Sequence, residues 1–403
     1  MGQTAQHRWS LVRLGKAKLI ASRFLVAFPL ALSLAHSAVQ AQQDQAQTNQ
    51  AEPTPASNAQ PSKTPPAKKF DLSHWKLTLP VDDDRDGRAD GIRVAPLQSY
   101  YHPEFFYLDD QGHMVFTAPN LGGTTVNSAN TRSELRYMIR GTNRKYKNRG
   151  PFNNFALASH PKADEFVSIG GRMLATLHID HVPTRARRPN DNSAFAGVIG
   201  QIHGVRLREP GDDYGFGNEP LKIVYKKWPH HKTGSVYWHY ERNWQRGHPD
   251  RRDIAFPVWG KERTDDSDPG ESGIALGEDF SYIVNVYGDT MYLTFLSERL
   301  GIVRQQVNLA NNIDPNGKVD PKDRPTAYAK DAHYFKAGVY NQCRGAIKEG
   351  QTEARCYGTG NWAVDKANGD YFQVSFSRLE VTQPTPPTPQ LSLRAETIQP
   401  TER

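Results

Sequence analysis

Ser281-Tyr282-Ile283-Val284-Asn285-Val286-Tyr287, then Gly288-Asp289, then Met291-Tyr292-Leu293-Thr294-Phe295 form the stretch that decides the fold. Two runs alternate large apolar side chains with others, and a Gly-Asp pair separates them. That pattern predicts an antiparallel hairpin with its turn at 288–289. Comparable runs lie at 113–117, 131–138, 171–179, 195–203, 221–227, 235–241, 334–342 and 371–380. Helical periodicity is absent beyond one or two turns. With 32 glycines and 28 prolines among 403 residues, the chain is turn-rich. The expectation is all-β: an antiparallel two-sheet sandwich of the β-jelly-roll kind.

Both ends of the chain differ from this middle. Residues 1–41 hold Arg8, Arg13, Lys16, Lys18 and Arg23, no acid, and an apolar run from Phe24 to Ala35 that ends near Val39-Gln40-Ala41. This predicts a cleavable secretory signal, since the run is short for a membrane span of about 20 residues. Residues 42–69 read as a disordered Gln/Ala/Pro-rich linker, and 382–403 as a disordered Pro/Thr-rich tail. The domain is therefore expected at 70–381, secreted or periplasmic, monomeric and free of the membrane once the signal is gone. Removing those five cations takes the formal net charge from +7 to +2, so composition gives no case for a nucleic-acid partner. Export also predicts a disulfide between Cys343 and Cys356, the only two cysteines. The segment 242–275 predicts a long surface excursion.

Strand alternation sorts the polar residues. In Thr131-Arg132-Ser133-Glu134-Leu135-Arg136-Tyr137, Arg132, Glu134 and Arg136 share a face. In Val198-Ile199-Gly200-Gln201-Ile202-His203, Gln201 and His203 do so. In Tyr334-Phe335-Lys336-Ala337-Gly338-Val339-Tyr340-Asn341-Gln342, the polar face holds Tyr334, Lys336, Tyr340 and Gln342. Alone, each is an ordinary solvated strand face. Placed in one sheet, they line a single groove suited to a particular reaction. Abstracting the C5 proton of a uronic acid beside its carboxylate builds up negative charge. An Arg aided by an amide neutralises that charge, a His or Tyr takes the proton, and a Tyr protonates the departing C4 oxygen. No metal or other cofactor is needed when the cation is an Arg.

These three blocks, with the opening Phe70-Asp71-Leu72-Ser73-His74-Trp75-Lys76-Leu77-Thr78-Leu79-Pro80 and the closing run through Phe372, Val374, Phe376 and Leu379, resemble the alginate lyases of polysaccharide lyase family 7. The resemblance covers about 70–381. It implies a jelly roll whose concave sheet forms a cleft for alginate. It implies Arg132, Gln201, His203 and Tyr340 as catalytic residues. Arg132 and Gln201 would engage the carboxylate, although Arg136 projects the same way. His203 would be the base for guluronate, and Tyr340 the acid, or both acid and base for mannuronate. Glu134, Arg136, Lys336, Asn341 and Gln342 would bind substrate. The Ile between Gln201 and His203 implies a lean to guluronate. Insertions at 205–220, 242–275 and 312–330 leave endo and exo action both open.

Other readings compete. A glycoside hydrolase needs two carboxylates flanking the bond, whereas the polar faces offer only Glu134, held between arginines. A binding module would not need both His203 and Tyr340. Another uronan such as glucuronan is the nearer rival to alginate. Asp82-Asp83-Asp84-Arg85-Asp86-Gly87 has the start of a calcium loop, but Arg93 stands where the twelfth-position Glu belongs, so a polar turn is expected. Tyr225, Trp228, Trp238 and Tyr240 could stack on sugars or fill the core.

Overall fold

The computed structural model describes residues 62–207 and 215–387. The expected signal at 1–41, residues 42–61, residues 208–214 and residues 388–403 lie outside the described residues. In chain order the strands are β1 (Trp75–Thr78), β2 (Gly91–Ile92), β3 (Phe106–Leu108), β4 (Met114–Pro119), β5 (Arg132–Tyr137), β6 (Gly171–His181), β7 (Ala196–Val205) and β8 (Leu221–Lys226). They continue as β9 (Thr233–Glu241), β10 (Asp253–Trp259), β11 (Ile274–Ala275), β12 (Phe280–Tyr287), β13 (Thr290–Ser297), β14 (Gly301–Asn308), β15 (Ala332–Asn341) and β16 (Tyr371–Thr382). Two short α-helices, α1 (Val94–Leu97) and α2 (Trp362–Ala367), complete the described elements apart from single 3₁₀ turns.

The strands form two sheets in which every strand pairing is antiparallel. One has the order β10-β9-β8-β7-β15-β5-β1-β2, with β11 attached to β9; the other runs β14-β13-β12-β6-β16-β4-β3. Hairpin neighbours at the edges flank a centre of non-consecutive pairings, β7-β15-β5-β1 in one sheet and β12-β6-β16-β4 in the other, as in the expected jelly roll. The hairpin forms where the sequence predicts it. Tyr287 pairs with Thr290, and Gly288 takes φ +61°, which costs glycine nothing because it has no Cβ.

Alternation then builds the core. Met173, Ala175, Leu177 and Ile179 on β6 are buried and alternate with more exposed neighbours. Leu135, Ile202, Phe335, Ala337 and Val339 meet them from the other sheet. Each such side chain contributes roughly 1.5–3 kcal/mol of burial. The outer face of the first sheet departs from simple alternation, because β7 and β15 are buried on both faces. Polar side chains on that outer face cover one another.

Three expectations shift. Residues 62–69 belong to the folded body: Ser62 bridges Leu108, and Pro66–Lys68 is a 3₁₀ turn. At the other end β16 reaches Thr382, and Thr385 exchanges hydrogen bonds with Asn285. The segment 242–275 is more than a loop, since it contains the edge strand β10, where Pro257 is tolerated. Of the two readings of Tyr225, Trp238 and Tyr240, the core one holds, since all three are buried on the core side. Trp228 is half-buried, with the Lys226 ammonium 3.9 Å from its ring centre.

Candidate active site

Three adjacent strands, β7, β15 and β5, carry the three polar blocks. The register sets Lys336 opposite both Arg136 and Gln201, Tyr340 opposite Arg132, and Tyr334 opposite His203. Between Ala337 and Tyr340 the pairing with β7 slips while the pairing with β5 stays regular. Gly338 sits in that bulge at φ +122°, where a Cβ would come within 2.6 Å of the Ser133 carbonyl. Only glycine fits there, and because the pairing with β5 stays regular, Tyr340 keeps the same outer face as Lys336 by plain alternation.

Glu134 is the hub of this face. Its carboxylate accepts from Arg132 Nη1 at 2.9 Å, from Lys336 Nζ and from Gln201 Nε2. Burial pushes its pKa up, but Lys336 and Arg132 outweigh that and hold it below the usual carboxylate range. Lys336 moves the other way: burial, then the neighbouring Arg132, bring its ammonium down to about 8. Glu134, which the sequence expectation gave to substrate, is thus engaged by protein donors on the cleft face. It is 3% exposed, already committed to three donors, and negatively charged like a uronate. Its work is to fix an Arg, a Lys and an amide in one array.

Around that hub the remaining groups are placed by ring contacts. The Arg132 guanidinium lies 4.1 Å from the Tyr340 ring centre, and that of Arg136 lies 3.8 Å from Tyr334. The Tyr340 hydroxyl shares a 3.0 Å hydrogen bond with Ser128. His203 stacks on Tyr334 with ring centres 5.2 Å apart. Arg132 Nε and Arg136 Nε are buried without an acceptor among the described residues. Arg136 also donates to the Asn148 carbonyl at 2.9 Å. Tyr340 and His203 do not touch. Along the strands the Lys336–Gln201 pair lies between them, which leaves a sugar ring to bridge the gap.

Asn341 does not join the site. It is 1% exposed, its amide donates to the Ala118 carbonyl and to Asn120, and its oxygen accepts from Cys343 N–H. It ties the end of β15 to β4. Gln342 is half-buried and donates to the Tyr340 carbonyl at 3.3 Å. Cys343 and Cys356 form the expected disulfide, and Arg355 donates to the Gln342 carbonyl at 2.6 Å.

Sequence reasoning missed an acidic network beyond His203. Glu219 Oε1 lies 2.9 Å from His203 Nε2. Lys222 Nζ reaches Glu219 at 3.6 Å, Glu241 at 3.2 Å and Asp253 at 2.7 Å. Burial, with the nearby Glu219 adding to it, raises Glu241 to about 8 despite Lys222. Against the same desolvation, His203 and Lys222 hold Glu219 well below its usual range. The signal that could have found them is alternation on the predicted strands 221–227 and 235–241, which would put Lys222 and Glu241 on outer faces. Asp82, Asp84 and Asp86 each bring a carboxylate oxygen within 4.8 Å of the others, on the turn joining β1 to β2.

Comparison with known proteins falls in line with this geometry. A family model described as alginate lyase matches residues 70–383. The chain is 34% identical over 328 residues to an alginate lyase of Klebsiella pneumoniae, covering 79% of this chain and 91% of that one. The crystal structure of the Klebsiella enzyme superposes with a TM-score of 0.61 at 32% identity, over 79% of this chain and 98% of that one. The exolytic family 7 alginate lyase of Zobellia galactanivorans gives a TM-score of 0.63 at 30% identity, over 80% and 99%.

Proposed function

This chain belongs to the alginate lyases of polysaccharide lyase family 7, and from that premise we propose how it cleaves its polymer and where it does so. The cleft is the outer face of β5, β15 and β7. A uronate carboxylate is neutralised by the Arg132 guanidinium, which Glu134 engages through Nη1, with the second N–H of the Gln201 amide beside it. Glu134 holds both groups in place, so they need not reorganise as charge develops on the sugar acid. That shared anchor is the observation that carries the reading.

The steps then follow from the chemistry. The C5–H bond breaks as its proton passes to His203 in guluronate, or in mannuronate to Tyr340 in its phenoxide form, which thereby becomes the hydroxyl. The electron pair forms the C4=C5 double bond, and the C4–O bond breaks. The Tyr340 hydroxyl supplies the proton to the departing oxygen. Arg136, Lys336 and Gln342 hold adjoining sugars. The cationic work is done by guanidinium groups, so the reaction runs without a metal. The Ile202 between Gln201 and His203 supports a lean to guluronate-containing blocks. The basic, acid-free segment at the N-terminus supports export, so the enzyme acts in the periplasm or outside the cell.

The test is ultraviolet absorbance from the conjugated double bond, followed with guluronate-rich, mannuronate-rich and mixed alginate in the presence of a chelator. Tyr340→Phe should abolish the signal while sparing binding. Absorbance with glucuronan but none with alginate would move the substrate to the rival uronan.

A further inference from the structure

Directly after β5 the chain runs Arg140-Gly141-Thr142-Asn143-Arg144-Lys145-Tyr146-Lys147-Asn148-Arg149, five cations with no acid. Nothing in the mechanism above uses them. Arg140 donates to the Asn143 carbonyl at 2.7 Å and to Asn148 Oδ1 at 2.8 Å. Arg136 donates to the Asn148 carbonyl, so this basic loop is fastened to the cleft at one of its own arginines.

A cavity of about 500 Å³ opens here. Its charged walls are Lys76, Arg93, Arg140 and Arg144, its apolar walls include Ile92 and Met138, and no carboxylate lines it. Lys76 stands opposite Arg136 in the β1–β5 register, on the same face as the catalytic array. No carboxylate pairs with it among the described residues. Burial, with Arg136 and Arg140 adding to it, brings its ammonium down to about 8. Four cations around one hollow repel one another, and an oxyanion arriving there would relieve that repulsion while gaining charge-assisted hydrogen bonds. The volume lies in the range of about 300–1,000 Å³ usual for small-molecule pockets, room for a sugar ring. From Lys336 through Arg136 to Lys76 is two strand spacings, roughly 10 Å.

We propose that this cavity is a remote uronate subsite, which takes a carboxylate-bearing sugar of the same polymer whose scissile residue lies at Arg132 and Tyr340. The proposal rests on the lyase reading and adds a consequence to it. Chains long enough to reach from Tyr340 to Lys76 gain a second anchored carboxylate, and shorter ones do not. The Arg93 and Arg144 side chains at its mouth would then favour the longest substrates.

The experiment measures binding calorimetrically in the Tyr340→Phe protein, with alginate oligosaccharides of increasing length, at fixed salt. Affinity should step upward at the length that spans the gap. Adding Lys76→Gln and Arg144→Gln should lower affinity for oligomers beyond the step about tenfold and remove the step. Among the described residues neither side chain has a hydrogen-bond or ion-pair partner to lose, and unchanged melting temperatures would show the fold intact; Arg144→Gln alone, at an exposed position, should give part of the effect. The proposal is overturned if affinity for long oligomers is unchanged, or if the loss is equal at every length, which would make these cations a general charge effect. Failure of the lyase reading looks different, because then the unaltered protein would release no unsaturated product from alginate at all.

Discussion

Glu219 Oε1 sits 2.9 Å from His203 Nε2, while His203 Nδ1 lies 2.7 Å from the Gly204 carbonyl. A carbonyl only accepts, so Nδ1 carries the hydrogen and Nε2 is the nitrogen left for chemistry. Glu219 therefore holds the imidazole by the nitrogen that must receive the C5 proton. In Glu219→Gln an amide N–H can turn onto Nε2 and occupy the lone pair that a base needs. The turnover of guluronate-rich alginate should fall about tenfold with KM nearly unchanged, and mannuronate-rich alginate should be affected less. Equal loss on both polymers, or no loss on either, would show that Glu219 does not position His203.

Glu134 is the group on which the catalytic array depends structurally. Removing its charge leaves Arg132 and Lys336 crowded and uncompensated in a buried site, a change that typically costs about 3–5 kcal/mol. Glu134→Gln should thus lower the unfolding free energy by about that much and cut kcat more than tenfold, as measured by denaturant titration and steady-state kinetics. The sign with pH follows from its depressed pKa. Its stabilisation is present above the usual carboxylate range and is lost only as the pH falls through the folded value. Wild type and variant should therefore converge in stability in acid.

How far the sequence carried these arguments depended on local against non-local information. Period-two alternation on 131–138, 195–203 and 334–342 put Arg132, Gln201, His203, Lys336 and Tyr340 on polar faces, and the sheet joins those faces because β15 pairs with both β5 and β7. Alternation could not say that Glu134 would be spent on its neighbours, since that depends on which strand lies beside which. Asn341 was assigned to substrate from the resemblance alone; alternation puts it on the inner face with Val339, and there it bonds Ala118 and Asn120. Glu219 precedes β8 in irregular chain, and only folding sets it against His203. Strands β10 and β14 were illegible for a different reason: they are sheet edges, where Pro257 and the exposed Ile302 blur the pattern.

Lys336 gives the alkaline side of the pH profile. Its ammonium titrates at about 8, and kcat/KM reports the free enzyme. Above that pH the neutral amine no longer attracts a uronate or holds Glu134, so kcat/KM should decline. Lys336→Arg keeps the charge to much higher pH, and its decline should begin about one unit or more later, even if its maximum is lower because the guanidinium fits the Glu134 pocket less well. A decline at the same pH in both proteins would assign that limb to another group. Stability moves oppositely. Between about 8 and the unfolded lysine value, the unfolded chain holds the proton and the folded one does not, so folding becomes more favourable with rising pH.

The disulfide lies one residue beyond the catalytic strand's polar run and should couple stability to catalysis. Cys343 N–H donates to Asn341, Arg355 holds the Gln342 carbonyl, and Cys356 N–H donates to the Arg344 carbonyl. The bridge spans 13 residues, a loop whose closure contributes about 3 kcal/mol by restricting the unfolded chain. Replacing both cysteines by serine should lower the melting temperature by several degrees and remove its sensitivity to reductant. It should also loosen Tyr340 through Gln342, which donates to the Tyr340 carbonyl. The expected kinetic signature is a several-fold fall in kcat with KM nearly constant, because the proton donor moves while the sugar-binding cations stay held by Glu134. A rise in KM with kcat unchanged would place the loop's influence on binding rather than on the position of the phenol.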